Sequence, residues 1–174
     1  MKLLYFSGFC LENEKELFKE YIEENDFTVS GFSYGAIKAF QYTLKCIQEN
    51  KRVDKLQLFS PAYFNIQSEK FKRLQLLYFK KDETEYKNNF VKNTIYPNNV
   101  SIKKYITTGT YEELDELLNY EWNEEDLKTI LKANIKLEVF VGSEDKIVNS
   151  EASKELFRKF GEVYYIKGVG HSLS

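Results

Sequence analysis

Phe27-Thr28-Val29-Ser30-Gly31-Phe32-Ser33-Tyr34-Gly35-Ala36 reads as a strand that runs into a helix through a turn carrying one serine between two glycines. Phe27-Thr28-Val29 is aromatic and β-branched, the composition of a short strand. After the turn, Ala36, Ile37, Ala39, Phe40, Leu44 and Ile47 recur at helical spacing to about residue 49. A Gly-x-Ser-x-Gly turn in this setting is a nucleophile elbow, which lifts a serine hydroxyl above the carboxyl edge of a sheet. The flanking positions are glycine because side chains there would collide with the neighbouring strand and helix.

Working outward, the apolar residues 3–6 predict a buried strand. Leu11, Leu17, Phe18, Tyr21 and Ile22 predict a helix over 11–24, ended by Asn25-Asp26. Downstream, Lys55-Leu56-Gln57-Leu58-Phe59 is a strand closed by Ser60-Pro61. Strands alternating with helices over short connections imply an α/β fold, a mostly parallel sheet with helices on both faces. The alternation breaks after Pro61. Residues 66–132 offer no convincing strand but three amphipathic stretches, Phe71 to Phe79, Tyr111 to Tyr120 and Glu124 to Leu131. It resumes with a strand over 135–141, a helix from Glu151 to Phe160 and a strand from Val163 to Ile166. We expect a single domain over 1–174, with its core at 1–65 and 133–174 and a helical cap over about 66–132.

The 174 residues, 43% hydrophobic and 16% aromatic, can bury one sizeable core. Lys plus Arg number 25 against 27 Asp plus Glu, for a net charge of -2, which argues against a general nucleic-acid binder. Two cysteines, Cys10 and Cys46, are too few for a disulfide scaffold and fit a reducing compartment such as the cytoplasm. Met1-Lys2-Leu3-Leu4-Tyr5-Phe6 stops at Ser7-Gly8, too short for a signal-peptide core, and no apolar run is long enough for a bilayer. Charge is segregated within the cap. Residues 69–104 hold nine basic residues against four acidic, whereas 112–128 hold eight acidic residues against Lys128 alone. Solvated helix faces explain this, as does a basic docking face for an acidic partner.

A serine hydroxyl needs a base, and the sequence holds one histidine, His171, in a Gly168-Val169-Gly170 turn after the last predicted strand. The acid that would orient it is Asp145, in Gly142-Ser143-Glu144-Asp145 just past the strand 135–141, where ligand sites of parallel sheets gather. Glu144 is the competing carboxylate, and a turn or cap role is the structural alternative for Asp145. Donors for a developing oxyanion are the Tyr34 backbone N–H, just after the serine, and the Phe9 N–H in the loop Ser7-Gly8-Phe9-Cys10. Cys10 opens a thiol alternative, although free cysteine is more often a packing residue. This chemistry calls for no metal and no cofactor.

With Ser33 in Gly-Phe-Ser-Tyr-Gly, Asp145 after Gly-Ser-Glu and His171 after Gly-Val-Gly, the chain resembles a compact α/β-hydrolase. That family usually carries His-Gly before the oxyanion loop; here Ser7-Gly8 stands instead. Its shortness, its opening strand and its Tyr- and Lys-rich cap further resemble the short pimeloyl-acyl-carrier-protein methyl ester esterases of biotin synthesis. The resemblance implies hydrolysis of a methyl ester at the far end of a pimeloyl chain, with the thioester to the carrier left intact. It implies acyl carrier protein, an acidic partner, docking on the basic stretch through Lys70, Lys72 and Arg73. The aliphatic chain would lie in a tunnel lined by aromatics such as Phe9, Tyr34, Phe32 and Tyr63, the last two being the substrate contacts we expect. A general short-chain carboxylester or thioester hydrolase, and a non-catalytic hydrolase-like binding module, are the other readings of the same residues.

Overall fold

The computed structural model describes residues 4–174, in which β1 (Leu4–Phe6), β2 (Thr28–Phe32), β3 (Lys55–Phe59), β4 (Lys136–Gly142) and β5 (Glu162–Ile166) form one sheet. All neighbours are parallel, in the order β1-β2-β3-β4-β5. Leu3, expected in the first strand, lies outside the described residues. Every residue of β2 is buried, as in a strand covered on both faces.

The two faces have different covers. Val29, Leu56, Leu58, Leu137, Val139 and Val141 pack with Ala36, Ile37, Phe40, Leu127, Ile130, Leu156 and Phe157. Those partners lie on α1 (Tyr34–Gln48), α5 (Glu124–Lys132) and α6 (Ser150–Phe157). Phe32, Phe59 and Phe140 point the other way, toward Leu11, Phe18, Ile102, Tyr105 and Leu173.

Between β1 and β2 the chain covers this second face with a 3-10 helix, Glu14–Phe18, where a longer helix over 11–24 was expected. Two physical reasons account for the difference. The connection from β1 to β2 steps across the sheet in the same direction as α1 does from β2 to β3, but on the opposite face, so its hand is opposite. A long right-handed helix packs back onto a twisted sheet poorly in that hand. In addition, Gln57 of β3 intercepts the chain: its Oε1 accepts from Glu23 N at 2.8 Å and its Nε2 donates to the Tyr21 carbonyl at 3.0 Å. Phe18 stacks on Phe59 at 4.6 Å and fixes the segment to the sheet.

Between β3 and β4 come α2 (Glu69–Lys81), α3 (Glu83–Thr94) and α4 (Tyr111–Asn119), then α5. Each start is marked by a side-chain cap: Ser68, Asp82, Thr110 in a capping box with Glu113, and Asn123. The helix α3 was not anticipated, because only Tyr86, Phe90 and Val91 interrupt a polar sequence. Its signal is the Asp82 cap, which ends α2 and accepts from Glu85 N at 2.9 Å. Trp122 ties the returning chain to the core, its Nε1 donating to the Ala62 carbonyl at 2.9 Å and its ring meeting Phe40 and Phe157.

Candidate active site

Ser33 sits where β2 becomes α1, with φ 54° and ψ −112°, a conformation that side chains rarely adopt. The turn closes tightly: a Cβ on Gly31 would lie 2.1 Å from the Gly35 carbonyl oxygen, and one on Gly35 would lie 2.0 Å from that of Phe6. Ser33 is held at both backbone ends, its N–H donating to Phe59 O at 2.9 Å and its carbonyl accepting from Ala36 and Ala62 N, both at 3.1 Å. Its hydroxyl takes no part in capping α1. It lies instead 2.8 Å from His171 Nε2.

The other ring nitrogen of His171, Nδ1, lies 2.7 Å from Asp145 Oδ2, and both side chains are fully buried. Asp145 Oδ1 accepts from Ile147 N at 2.7 Å and Val148 N at 2.9 Å, so the carboxylate is aimed by its own loop. Glu144 is exposed and contacts Ser143 instead. Ser60 Oγ donates to the His171 carbonyl at 2.6 Å, and the Phe32 ring packs against the imidazole at 5.1 Å. This constellation can move a proton from Ser33 to His171 while Asp145 fixes the tautomer and steadies the resulting imidazolium.

Tyr34 N–H is the first of α1, one of the donors that a helix start leaves unpaired. In the loop after β1, Gly8 N–H donates to Glu14, while Phe9 and Cys10 N–H have no hydrogen-bond partner among the described residues. The Tyr34 hydroxyl donates to Glu116 of α4 at 2.7 Å, joining elbow to cap. Burial first, then this carboxylate, push its phenol above the ordinary value. Cys10 is buried, and burial pushes its thiol up to about 12. A thiol at that value is protonated through neutral pH and is a poor nucleophile. Iodoacetamide at pH 8.5 should therefore leave Cys10 unmodified in the native protein and alkylate it in guanidinium; rapid native alkylation with loss of activity would revive the thiol reading. Among the described residues no group of three or more His, Cys, Asp or Glu could hold a metal, and no helix is long and apolar enough to cross a membrane.

A cavity of about 210 Å³ opens between α2, α3 and α4 and the loop that carries Asp145. Phe64, Phe71, Phe90, Leu114, Leu117 and Leu118 form its apolar wall, Gln75, Tyr86, Asn89 and Asn93 a polar one, and Lys146 and Ile147, just after Asp145, also line it. Phe90 meets Phe9 edge-on at 5.4 Å, so the cavity abuts the loop after β1 as well as the loop that carries Asp145. Neither Phe32 nor Tyr63 lines it: Phe32 packs under His171 and against Phe18, and Tyr63 packs against Phe157 of α6. Of the basic trio on α2, Lys70 and Arg73 are exposed, whereas Lys72 is half-buried and pairs with Glu69 at 3.6 Å.

No protein-family model matches the chain, and no curated protein matches it in sequence. Solved structures match its shape. It superposes on bromoperoxidase from Bacillus anthracis with TM-score 0.65 and 18% identity, covering 84% of this chain and 60% of that one. Naproxen esterase (carboxylesterase NP) from Bacillus subtilis gives TM-score 0.56 and 17% identity, covering 84% of this chain and 54% of that one. The fold is that of the α/β-hydrolases. The chain thus spans little more than half the length of those two structures. BioG from Haemophilus influenzae matches over most of both chains, 98% of this one and 88% of that one, with TM-score 0.58 and 15% identity.

Proposed function

We propose that the protein is a serine esterase with Ser33 as nucleophile, His171 as base and Asp145 as orienting acid, acting on the methyl ester of pimeloyl-acyl-carrier protein. One observation carries the catalytic part: the single histidine bridges Ser33 Oγ at 2.8 Å and Asp145 Oδ2 at 2.7 Å. His171 Nε2 takes the Ser33 proton as Oγ attacks the ester carbonyl, while Nδ1–H donates to Asp145. The oxyanion is received by the N–H groups of Phe9 and Tyr34. His171 then gives its proton to the departing methoxide oxygen, releasing methanol. A water deprotonated by His171 attacks the acyl-enzyme, and the proton returns to Ser33 as the acid leaves.

The substrate assignment draws on the resemblance to the short pimeloyl-acyl-carrier-protein methyl ester esterases and on two features of the cap. The aromatic and leucine wall of the cavity suits an aliphatic chain. On the outer side of α2, Lys70 and Arg73 have no ion-pair partner among the described residues and share their helix with the exposed Leu77 and Tyr78. Cations beside apolar side chains suit an acidic, helical carrier protein in the cytoplasm. Lys72, drawn to Glu69, is secondary in this docking.

Mass spectrometry of the carrier-bound pimeloyl methyl ester after incubation tests the assignment: loss of the methyl group with the carrier retained is expected. Turnover of a nitrophenyl ester with the carrier-bound methyl ester untouched would leave a general carboxylesterase. For docking, Lys70→Glu with Arg73→Glu should raise KM for the carrier-bound ester by about tenfold at low salt and leave free dimethyl pimelate unaffected. Equal effects on both substrates would remove the docking role from α2.

A further inference from the structure

Glu14 is a buried titratable group that the mechanism above leaves unused. Its residue is fully buried on the second face of the sheet, in the 3-10 helix that Phe18 anchors on Phe32 and Phe59. Oε1 accepts two hydrogen bonds, from Gly8 N at 2.8 Å and from the Tyr5 hydroxyl at 2.9 Å. Oε2 is enclosed with no hydrogen-bond partner, and the carboxyl has no ion-pair partner among the described residues. Burying a carboxyl with one oxygen unpaired costs free energy, which its two hydrogen bonds only partly offset.

Those contacts converge on one loop. Gly8 precedes Phe9, and Leu11 N donates to Gly8 O at 3.2 Å, closing a turn over Phe9 and Cys10 in which Cys10 takes φ 58°. Asn13 N donates to Ser7 Oγ at 3.2 Å, a second tie between loop and 3-10 helix. The loop leaves β1 hard against the elbow, since Phe6 O and Ser7 O are the atoms that a Cβ on Gly35 would strike. Burial, and then the neighbouring Glu14, push the Tyr5 phenol well above its ordinary value and keep it a donor.

We infer that Glu14 is a positioning residue for the oxyanion loop: by occupying Gly8 N–H and being locked by Tyr5, it holds the Phe9 N–H in place and free for the developing oxyanion. The inference rests on the esterase reading. It gives a physical role to a carboxyl beside Ser7-Gly8, the point where the sequence departs from His-Gly. What matters in it is an acceptor at Oε1, not a charge, because glutamine can accept from both Gly8 and Tyr5 through its own Oε1.

The test compares Glu14→Met and Glu14→Gln with wild type on a nitrophenyl ester. Glu14→Met fills the space without an acceptor and should lower kcat by about 30–100-fold with KM changed less than about threefold, as a displaced donor does. Affinity for a trifluoromethyl ketone, whose adduct with Ser33 carries an oxyanion, should fall in parallel. Glu14→Gln should restore kcat to within about fivefold of wild type. If Glu14→Met does not fold, Glu14→Gln still decides: a folded Gln variant with kcat reduced as far as expected for Met overturns the acceptor role. Active wild type with a Met variant of equal kcat and ketone affinity overturns the role of Glu14 alone. Wild type without Ser33-dependent turnover overturns the esterase reading and this role together.

Discussion

Ser33→Ala is expected to lower kcat for a nitrophenyl ester by about 10⁵–10⁶-fold, and His171→Ala by a similar factor, with melting temperatures close to wild type. Oγ and Nε2 lie 2.8 Å apart, and in the proposed mechanism they act as one unit, so removing either removes the attack. The double variant should be no slower than either single one, the non-additivity of groups that share a step. Asp145→Asn should lose about 10⁴-fold, because an amide in place of Oδ2 no longer secures the tautomer that leaves Nε2 free to accept. Steady-state kinetics with circular dichroism of each variant checks this. A Ser33→Ala protein that kept wild-type kcat would remove the mechanism, whatever the other variants did.

Gly35→Ala should be among the most damaging single-methyl changes in the molecule. The added Cβ would lie 2.0 Å from Phe6 O and 2.5 Å from Ser7 O, both backbone atoms that no rotamer change can move. Either α1 lifts off β1 or the oxyanion loop shifts. We expect a loss of about 3 kcal/mol, equivalent to roughly 6–12 °C in Tm for a chain of this size, and esterase activity lost beyond the fraction unfolded. Gly168→Ala is the matched control: it has φ 75° but nothing within 4 Å of the new methyl, so only backbone strain opposes it. Its cost should be about 1–2 kcal/mol. Thermal melts of the two variants separate collision from strain, and a Gly35→Ala protein as stable as Gly168→Ala would contradict the close approach of elbow and loop.

What could be read from the sequence was what local pattern controls. The elbow is a five-residue motif between a strand and a helix, and β2 and α1 follow from it. His171 is the only histidine, and Asp145 follows a strand in the expected chain order; the structure brings both together with Ser33. What escaped depends on packing partners remote in the chain. Glu14 looks like Glu12, Glu16 or Glu20 in sequence, and only the turn of the 3-10 helix toward Gly8 and Tyr5 sets it apart. The apolar residues of 11–24 have helical spacing, but Gln57, more than 30 residues away, captures the backbone at Tyr21 and Glu23. Phe32 was expected among the aromatics lining a tunnel for the aliphatic chain; the alternation of a strand sends its ring to the face opposite Val29. Leu114, Leu117 and Leu118 read as one more amphipathic face, and it takes the placement of α4 beside α2 and α3 to make them a cavity wall.

The most direct measurement is intact-mass and peptide mass spectrometry of the protein treated with a fluorophosphonate, which phosphonylates an activated serine and expels fluoride. One adduct per chain on the peptide containing Ser33, absent from Ser33→Ala and strongly slowed in His171→Ala, is the predicted result. A native, folded protein that takes no adduct, or takes it on another residue with Ser33 unmodified, would contradict the assignment of Ser33 as the nucleophile.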